Sequence, residues 1–397
     1  MSLMLSIDEP APASAPRGFA LFALGFRPFY LLASLFGAAS IALWGLQATG
    51  LLSHPYLAGP LWHAHEMLFG FALAVITGFL FTAGRNWSNQ PTPTGAPLAA
   101  LCALWLAARL LVLTPWGWAA ALANVAFPLA VAAALGRALV KGGSRRNYFF
   151  VALLCAMAAA AAAFHLQQLG VLAFPARASL QPVLDLLLFI LAVMAGRVLP
   201  MFTNNGVPGA GAVRHPIVER AALGSLLALL AAHLLGAPDA LLAALAAAAA
   251  SSHLCRWLLW RPLRALRNPL VAILHVAYAW VPVHLALAAM AAIGWVPPSL
   301  ATHALTAGAA GGLVIGMMTR TARGHTGRPL RADRLDIACY VLVTVAALLR
   351  VGLPLAWPQA TGPALLASAA CWSLGFALYA LGYAPSLLRP RADGRPG

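Results

Sequence analysis

Trp62-His-Ala-His-Glu-Met-Leu-Phe-Gly70-Phe-Ala-Leu-Ala-Val-Ile-Thr-Gly78-Phe-Leu-Phe-Thr-Ala-Gly84 is an unbroken apolar run entered through two histidines and a glutamate. Residues 62–84 are long enough to cross the hydrocarbon core of a bilayer, which takes about 20 mostly apolar residues. The rest of the chain repeats the pattern. Of its 397 residues 62% are hydrophobic and only 9% charged, with a mean hydropathy of +0.84. A soluble domain carries roughly a quarter Asp, Glu, Lys and Arg, so an ordinary globular enzyme is excluded.

Cutting at Pro, Gly and charge clusters predicts twelve spans. The first six cover 28–49, 62–84, 97–113, 117–140, 148–170 and 180–203. The second six cover 217–236, 240–260, 269–293, 299–319, 335–353 and 360–385. The expected fold class is therefore all-α, a polytopic integral membrane protein of about twelve transmembrane helices. Residues 19–388 form one domain between a disordered tail at 1–18 and a basic tail at 389–397. The net charge of +16 fits this reading better than it fits nucleic acid, because little polar surface is left for a duplex. All basic residues but Arg109, Arg177, Arg197 and Arg350 fall on the side shared by the N-terminal tail, every second loop and the C-terminal tail. By the positive-inside bias both termini are expected in the cytoplasm. The five cysteines are scattered without a CxxC pair, which argues against an iron–sulfur cluster, a thiolate zinc site or a disulfide scaffold. The tail lacks the basic n-region and apolar run of a signal peptide.

Ionisable groups inside spans are costly, so each is a candidate for function. One layer lies toward the expected periplasmic ends of the spans. His63 and His65 are two residues apart, about 200° around a helix, and point to different sides. Glu66 lies about 60° from His63 and is expected to accept its spare ring proton. Gly70, Ala74 and Gly78 continue the His63 side as a small-residue stripe for close packing. His303 heads the tenth span, above Gly308, Gly312 and Gly316. His275 and His284 lie on opposite faces of the ninth span, with Pro282 between them, and His165 and Asp185 reach the same layer as His284. Neutral imidazole suits iron, copper and zinc, so this layer can hold haem or copper. His54, His233 and His253 are assigned no role.

A second layer lies at the expected cytoplasmic ends. Arg197 sits inside a span and needs a carbonyl, carboxylate or phosphate-like partner. The tenth span ends in Arg320-Thr-Ala-Arg323-Gly-His325-Thr-Gly-Arg328. Gly324 and Gly327 there allow backbone amides to turn toward an anion, and the arginines supply forked donors.

Taken together, several blocks resemble the NnrS family: Gly25-Phe-Arg-Pro-Phe, His63-Ala-His-Glu-Met-Leu-Phe-Gly70, Gly78-Phe-Leu-Phe-Thr-Ala-Gly-Arg-Asn-Trp87, Gly196-Arg-Val-Leu-Pro-Met-Phe-Thr-Asn204, His275-Val-Ala-Tyr-Ala-Trp280, and His303 followed by Met318-Thr-Arg-Thr-Ala-Arg-Gly-His-Thr-Gly-Arg328. The resemblance runs from about residue 18 to 385. It implies a multi-pass protein of the bacterial cytoplasmic (inner) membrane that contains haem and copper and is linked to nitric oxide and nitrosative stress. It assigns no reaction. On a haem–copper reading His63, His65 and His303 are the leading haem ligands, with His275 or His284 completing haem or copper ligation; His284, and His165 and Asp185 as further metal donors, are added from their depth along the spans and not from the resemblance. Glu66 would support a ligand, while Arg197, Arg320, Arg323, His325 and Arg328 would hold an anion such as a propionate. The expected partners are the lipid bilayer, nitric oxide or another small ligand, and an electron donor that no motif supplies. The alternative is a transporter or exporter of a metal, an iron–nitrosyl species or a small anion, for which Arg197, the glycines of the tenth span and Pro282 would make broken helices.

Overall fold

The computed structural model describes residues 18–48, 56, 57 and 59–394. The expected N-terminal tail up to residue 17, His54, the Arg177 side chain and the last three residues lie outside this description. The chain is 81% helical, with no strand among the described residues. Twelve long helices follow in order: α1 (Phe26–Ala48), α2 (Gly59–Ser88), α3 (Gly95–Leu111), α4 (Gly117–Lys141), α5 (Phe149–Gln168) and α6 (Ala176–Gly206), then α7 (Pro216–Leu234), α8 (Asp239–Leu259), α9 (Pro269–Ala292), α10 (Pro298–His325), α11 (Arg334–Ala356) and α12 (Thr361–Leu388). They coincide with the twelve predicted spans. Eleven are long and apolar enough to cross a membrane, and α3 is a shorter apolar helix. Its 17 residues reach about 25 Å, near the lower limit for a crossing.

Helix ends follow local chemistry. Asn268 caps α9 by accepting from the Leu270 amide, with Pro269 supplying a first-turn residue that needs no hydrogen bond. Asp333 and Asp336 form a reciprocal capping box at the start of α11. One continuous apolar core draws buried residues from all twelve helices. At its centre lie α2 and α10, whose most apolar stretches are 83% and 78% buried. The expected glycine stripe of α10 packs on α9. A Cβ on Gly308 would meet Trp280 at 2.5 Å, and one on Gly312 would meet Ala277 at 2.6 Å.

Three helices contain a π-helical segment: Glu66–Ala72 in α2, Ala304–Ala310 in α10 and Leu348–Gly352 in α11. Such segments widen the helix and re-aim the side chains beyond them. This corrects the expected stripe on α2. Gly70 packs against Phe36 and Arg109, whereas the His63 ring faces Trp44 and His303. A uniform 100° per residue puts these two residues on one side, and the wider turn separates them. The helices proposed to be broken are not interrupted: α9 runs through Pro282 and α10 through all its glycines.

Candidate functional site

His63 and His303, from the two most buried helices, come together. Their ring centroids are 6.2 Å apart with planes within 5°, and Trp44 of α1 stacks on the other side of His63 at 5.0 Å. His303 Nδ1 donates to the Ser299 carbonyl at 2.7 Å, one helical turn back. That bond leaves Nε2 as the lone-pair nitrogen and fixes the ring, the arrangement a metal-binding histidine uses. No described residue hydrogen-bonds either nitrogen of His63. Both histidines sit directly before or just ahead of a π-helical segment, and the third such segment, in α11, carries Arg350.

His65 enters a different cluster. Its Nδ1 contacts Glu66 Oε1 at 2.7 Å, and its Nε2 lies 3.1 Å from Nε2 of His165 on α5. Arg109 of α3 donates to the same Glu66 oxygen at 2.6 Å and also to the Asn124 side-chain carbonyl on α4. Tyr56 OH is 2.8 Å from His165 Nδ1. The tautomers follow from the network. An ionised Glu66 only accepts, so His65 donates from Nδ1 and accepts at Nε2. His165 then donates from Nε2 and accepts from Tyr56 at Nδ1. Both nitrogens of both rings are thereby used. Glu66 serves His65, its chain neighbour, and not His63 as the helical angle suggested.

The other predicted donors disperse. His275 Nε2 lies 2.8 Å from Thr203 Oγ1, whose own proton goes to the Leu199 carbonyl at 2.7 Å. His275 therefore donates from Nε2, and its buried Nδ1 has no partner. It sits about 13 Å along α9 from His284. His284 donates from Nδ1 to the Ala301 carbonyl at 2.8 Å, near His303. Asp185 pairs with His233 at 2.8 Å rather than with His165. His233 had been given no role, and its depth near the end of α7 was the signal available to find this pair. Among the described residues, no group of three or more His, Cys, Asp or Glu is placed to hold a metal ion.

The arginine layer is largely satisfied from within the protein. Arg197 donates to the Asn147 side-chain carbonyl at 2.8 Å and lies over the rings of Trp87, Phe149 and Phe150. Arg320 lies 3.8 Å over Phe202. Arg323 pairs with Asp333 and Asp336 at 2.5 and 2.6 Å. Arg328 donates to the Thr326 hydroxyl, and His325 packs on Phe26. Gly324 is helical, so the turn rests on Gly327 alone, at φ +73°. The carboxyl brought to that turn is Asp393 of the chain's own C-terminal segment, which a Cβ on Gly327 would meet at 2.7 Å. The Ala392 amide also bonds the Thr326 carbonyl at 2.9 Å.

Sequence reasoning missed a cluster joining α7, α8 and α9. Arg256 donates to Glu219 at 3.0 and 2.7 Å and to Tyr278 OH at 3.1 Å. His253 lies 2.7 Å from Tyr278 OH and donates from Nε2 to the Ala222 carbonyl at 3.0 Å. Gly196 makes room, since a Cβ there would collide with the Arg256 guanidinium. Arg27 was noted only within a motif. It is fully buried and donates to the Ser386, Leu387 and Arg389 carbonyls, tying α1 to the end of α12.

The helices and the buried polar layers define a multi-pass α-helical membrane protein with a paired-histidine site in its most buried helices. The family whose description reads NnrS protein matches residues 20–391, and the chain belongs to that family. No curated protein matches the chain.

Proposed function

We propose that this is a haem protein of the bacterial cytoplasmic membrane that binds nitric oxide in the response to nitrosative stress, with haem held between His63 and His303. Membership of the family supports the setting. The parallel rings 6.2 Å apart, with His303 Nδ1 anchored on Ser299, carry the assignment. The donor set fits the group: two neutral imidazoles are the ligands haem iron takes, and the Ser299 carbonyl leaves Nε2 of His303 for the metal. Haem, when bound, would supply an iron centre, and with both histidines ligating it nitric oxide would bind by displacing one of them. The chain's own residues orient it. Trp44 braces His63, and the π-helical segments of α2 and α10 turn the two histidines toward each other. Copper finds no comparable pair, because His65 and His165 spend every ring nitrogen on protein partners and lie closer than two in-line metal–nitrogen bonds allow.

The test is the optical spectrum of detergent-purified protein, oxidised, reduced, and reduced with nitric oxide, alongside quantified iron and copper. A stoichiometric Soret band that shifts with nitric oxide and disappears in His63→Ala and His303→Ala is the expected result. A Soret band retained in both variants, or a colourless iron-free wild type, defeats the reading.

A further inference from the structure

Arginines inside a membrane protein are expensive and pair with something. Here each half-buried or buried arginine of the twelve helices has its partner within the protein, with one exception among the described residues. Arg27 holds helix-end carbonyls, Arg109 holds Glu66, Arg197 holds Asn147 and an aromatic cage, Arg256 holds Glu219, Arg320 lies on Phe202 and Arg323 holds two aspartates. Arg350 has no hydrogen bond and no ion pair to any described residue. It belongs to the π-helical segment Leu348–Gly352. The next residue, Val351, is packed into a small apolar cluster with Leu287, Leu300, Ala301 and Ala304, which holds this segment of α11 against the start of α10. That seating sets the Arg350 segment beside the first turns of α10, which carry His303.

Resting on the haem reading, we infer that Arg350 is the anion partner of the haem, its guanidinium pairing with a propionate carboxylate. Haem brings two carboxylates to a site that offers imidazoles and, among the described residues, no other cation without a protein partner. Leaving an ionised carboxylate unpaired in an apolar interior is costly, and a forked guanidinium matches a carboxylate with two parallel hydrogen bonds. The pairing also explains the position of Arg350. A cation beside two metal-binding imidazoles weakens ligation unless an anion arrives with the metal, and haem supplies both together. The histidines then hold the iron while Arg350 sets which edge of the macrocycle faces α11. A phospholipid headgroup offers the same anionic chemistry from outside, and the experiment separates the two sources.

The experiment titrates haem-depleted full-length protein in detergent with haem and, separately, with haem dimethyl ester, whose carboxylates are blocked, following the Soret band. Wild type, Arg350→Gln and Arg350→Lys are compared. Wild type is expected to bind haem about tenfold tighter than the ester. Arg350→Gln loses that preference, because its haem affinity falls while its ester affinity stays, and Arg350→Lys retains part of it. Unchanged ester affinity in Arg350→Gln shows that the fold survives. A preference for haem that persists in Arg350→Gln overturns the assignment and leaves the arginine to lipid headgroups. A wild type that binds both ligands equally overturns it as well, with the haem site intact. A wild type that binds neither overturns the haem reading, and the role of Arg350 with it.

Discussion

His303 and His253 are both imidazoles inside the same helical bundle, yet their surroundings give them opposite chemistry. His253, fully buried between α7, α8 and α9, spends Nδ1 on Tyr278 and Nε2 on the Ala222 carbonyl, beside the Arg256–Glu219 pair. It joins three helices and has nothing left to offer. His303 spends only Nδ1, on a carbonyl of its own helix, keeps Nε2 free of any described partner, and lies with its ring parallel to that of a second histidine. A buried histidine is therefore read by counting its satisfied nitrogens. By that count His65 and His165 belong with His253, while His63, His275, His284 and His303 each keep a nitrogen without a described partner.

The comparison breaks if the α7–α9 cluster proves unimportant for stability. Arg256→Leu leaves Glu219 only the exposed Arg214 at 3.4 Å, and the expected loss is about 3 kcal/mol in thermal or denaturant unfolding of the purified protein. Adding Glu219→Leu should restore most of it, while iron content per folded molecule stays unchanged. A smaller cost, about 1–3 kcal/mol, is expected for His253→Phe, which leaves the Tyr278 hydroxyl proton without its acceptor and removes one of the bonds to the Ala222 carbonyl. The Soret band should survive that change, whereas His303→Ala should remove the band with little effect on unfolding. The reverse outcome for this pair would exchange the two roles.

Gly308→Ala sharpens the comparison from the packing side. It places a methyl into Trp280 and forces α10 away from α9 just beyond His303, for an expected loss of about 1–3 kcal/mol and a shifted Soret maximum. The smallest effect is expected at the start of α11. Partial burial works against the Asp333 charge, but the Asp336 and Leu335 amides and the Arg323 guanidinium outweigh it and hold its pKa below the ordinary carboxylate value. Its folded-state stabilisation is thus complete above about pH 4 and is lost as the pH falls further. Between pH 6 and pH 3 the wild type should lose more stability than Asp333→Asn, by less than about 1 kcal/mol because the side chain is largely exposed. Equal pH dependence would remove Asp333 from the account.

Hydrophobic length alone was enough to count and place twelve helices, because a bilayer demands a minimum of apolar residues whatever the tertiary packing. The same sequence identified His63 and His303 as candidates, since an imidazole inside a span is conspicuous among Ala and Leu. Which histidines meet was not legible. Assignments by depth put Asp185 with His165 and gave His233 no role, whereas helix neighbours paired Asp185 with His233. The helical angle set Glu66 on the side of His63, but its carboxylate turns to the chain neighbour His65 and to Arg109 of α3. The wider π-helical turns leave no mark in composition, because they are stabilised by the packing of neighbouring helices and not by the residues they contain. Arg350 stood in the sequence as a basic residue off the charge pattern. Only the folded bundle, by giving the other half-buried helical arginines a partner among the described residues and seating α11 against the start of α10, left Arg350 without one beside the turn that carries His303.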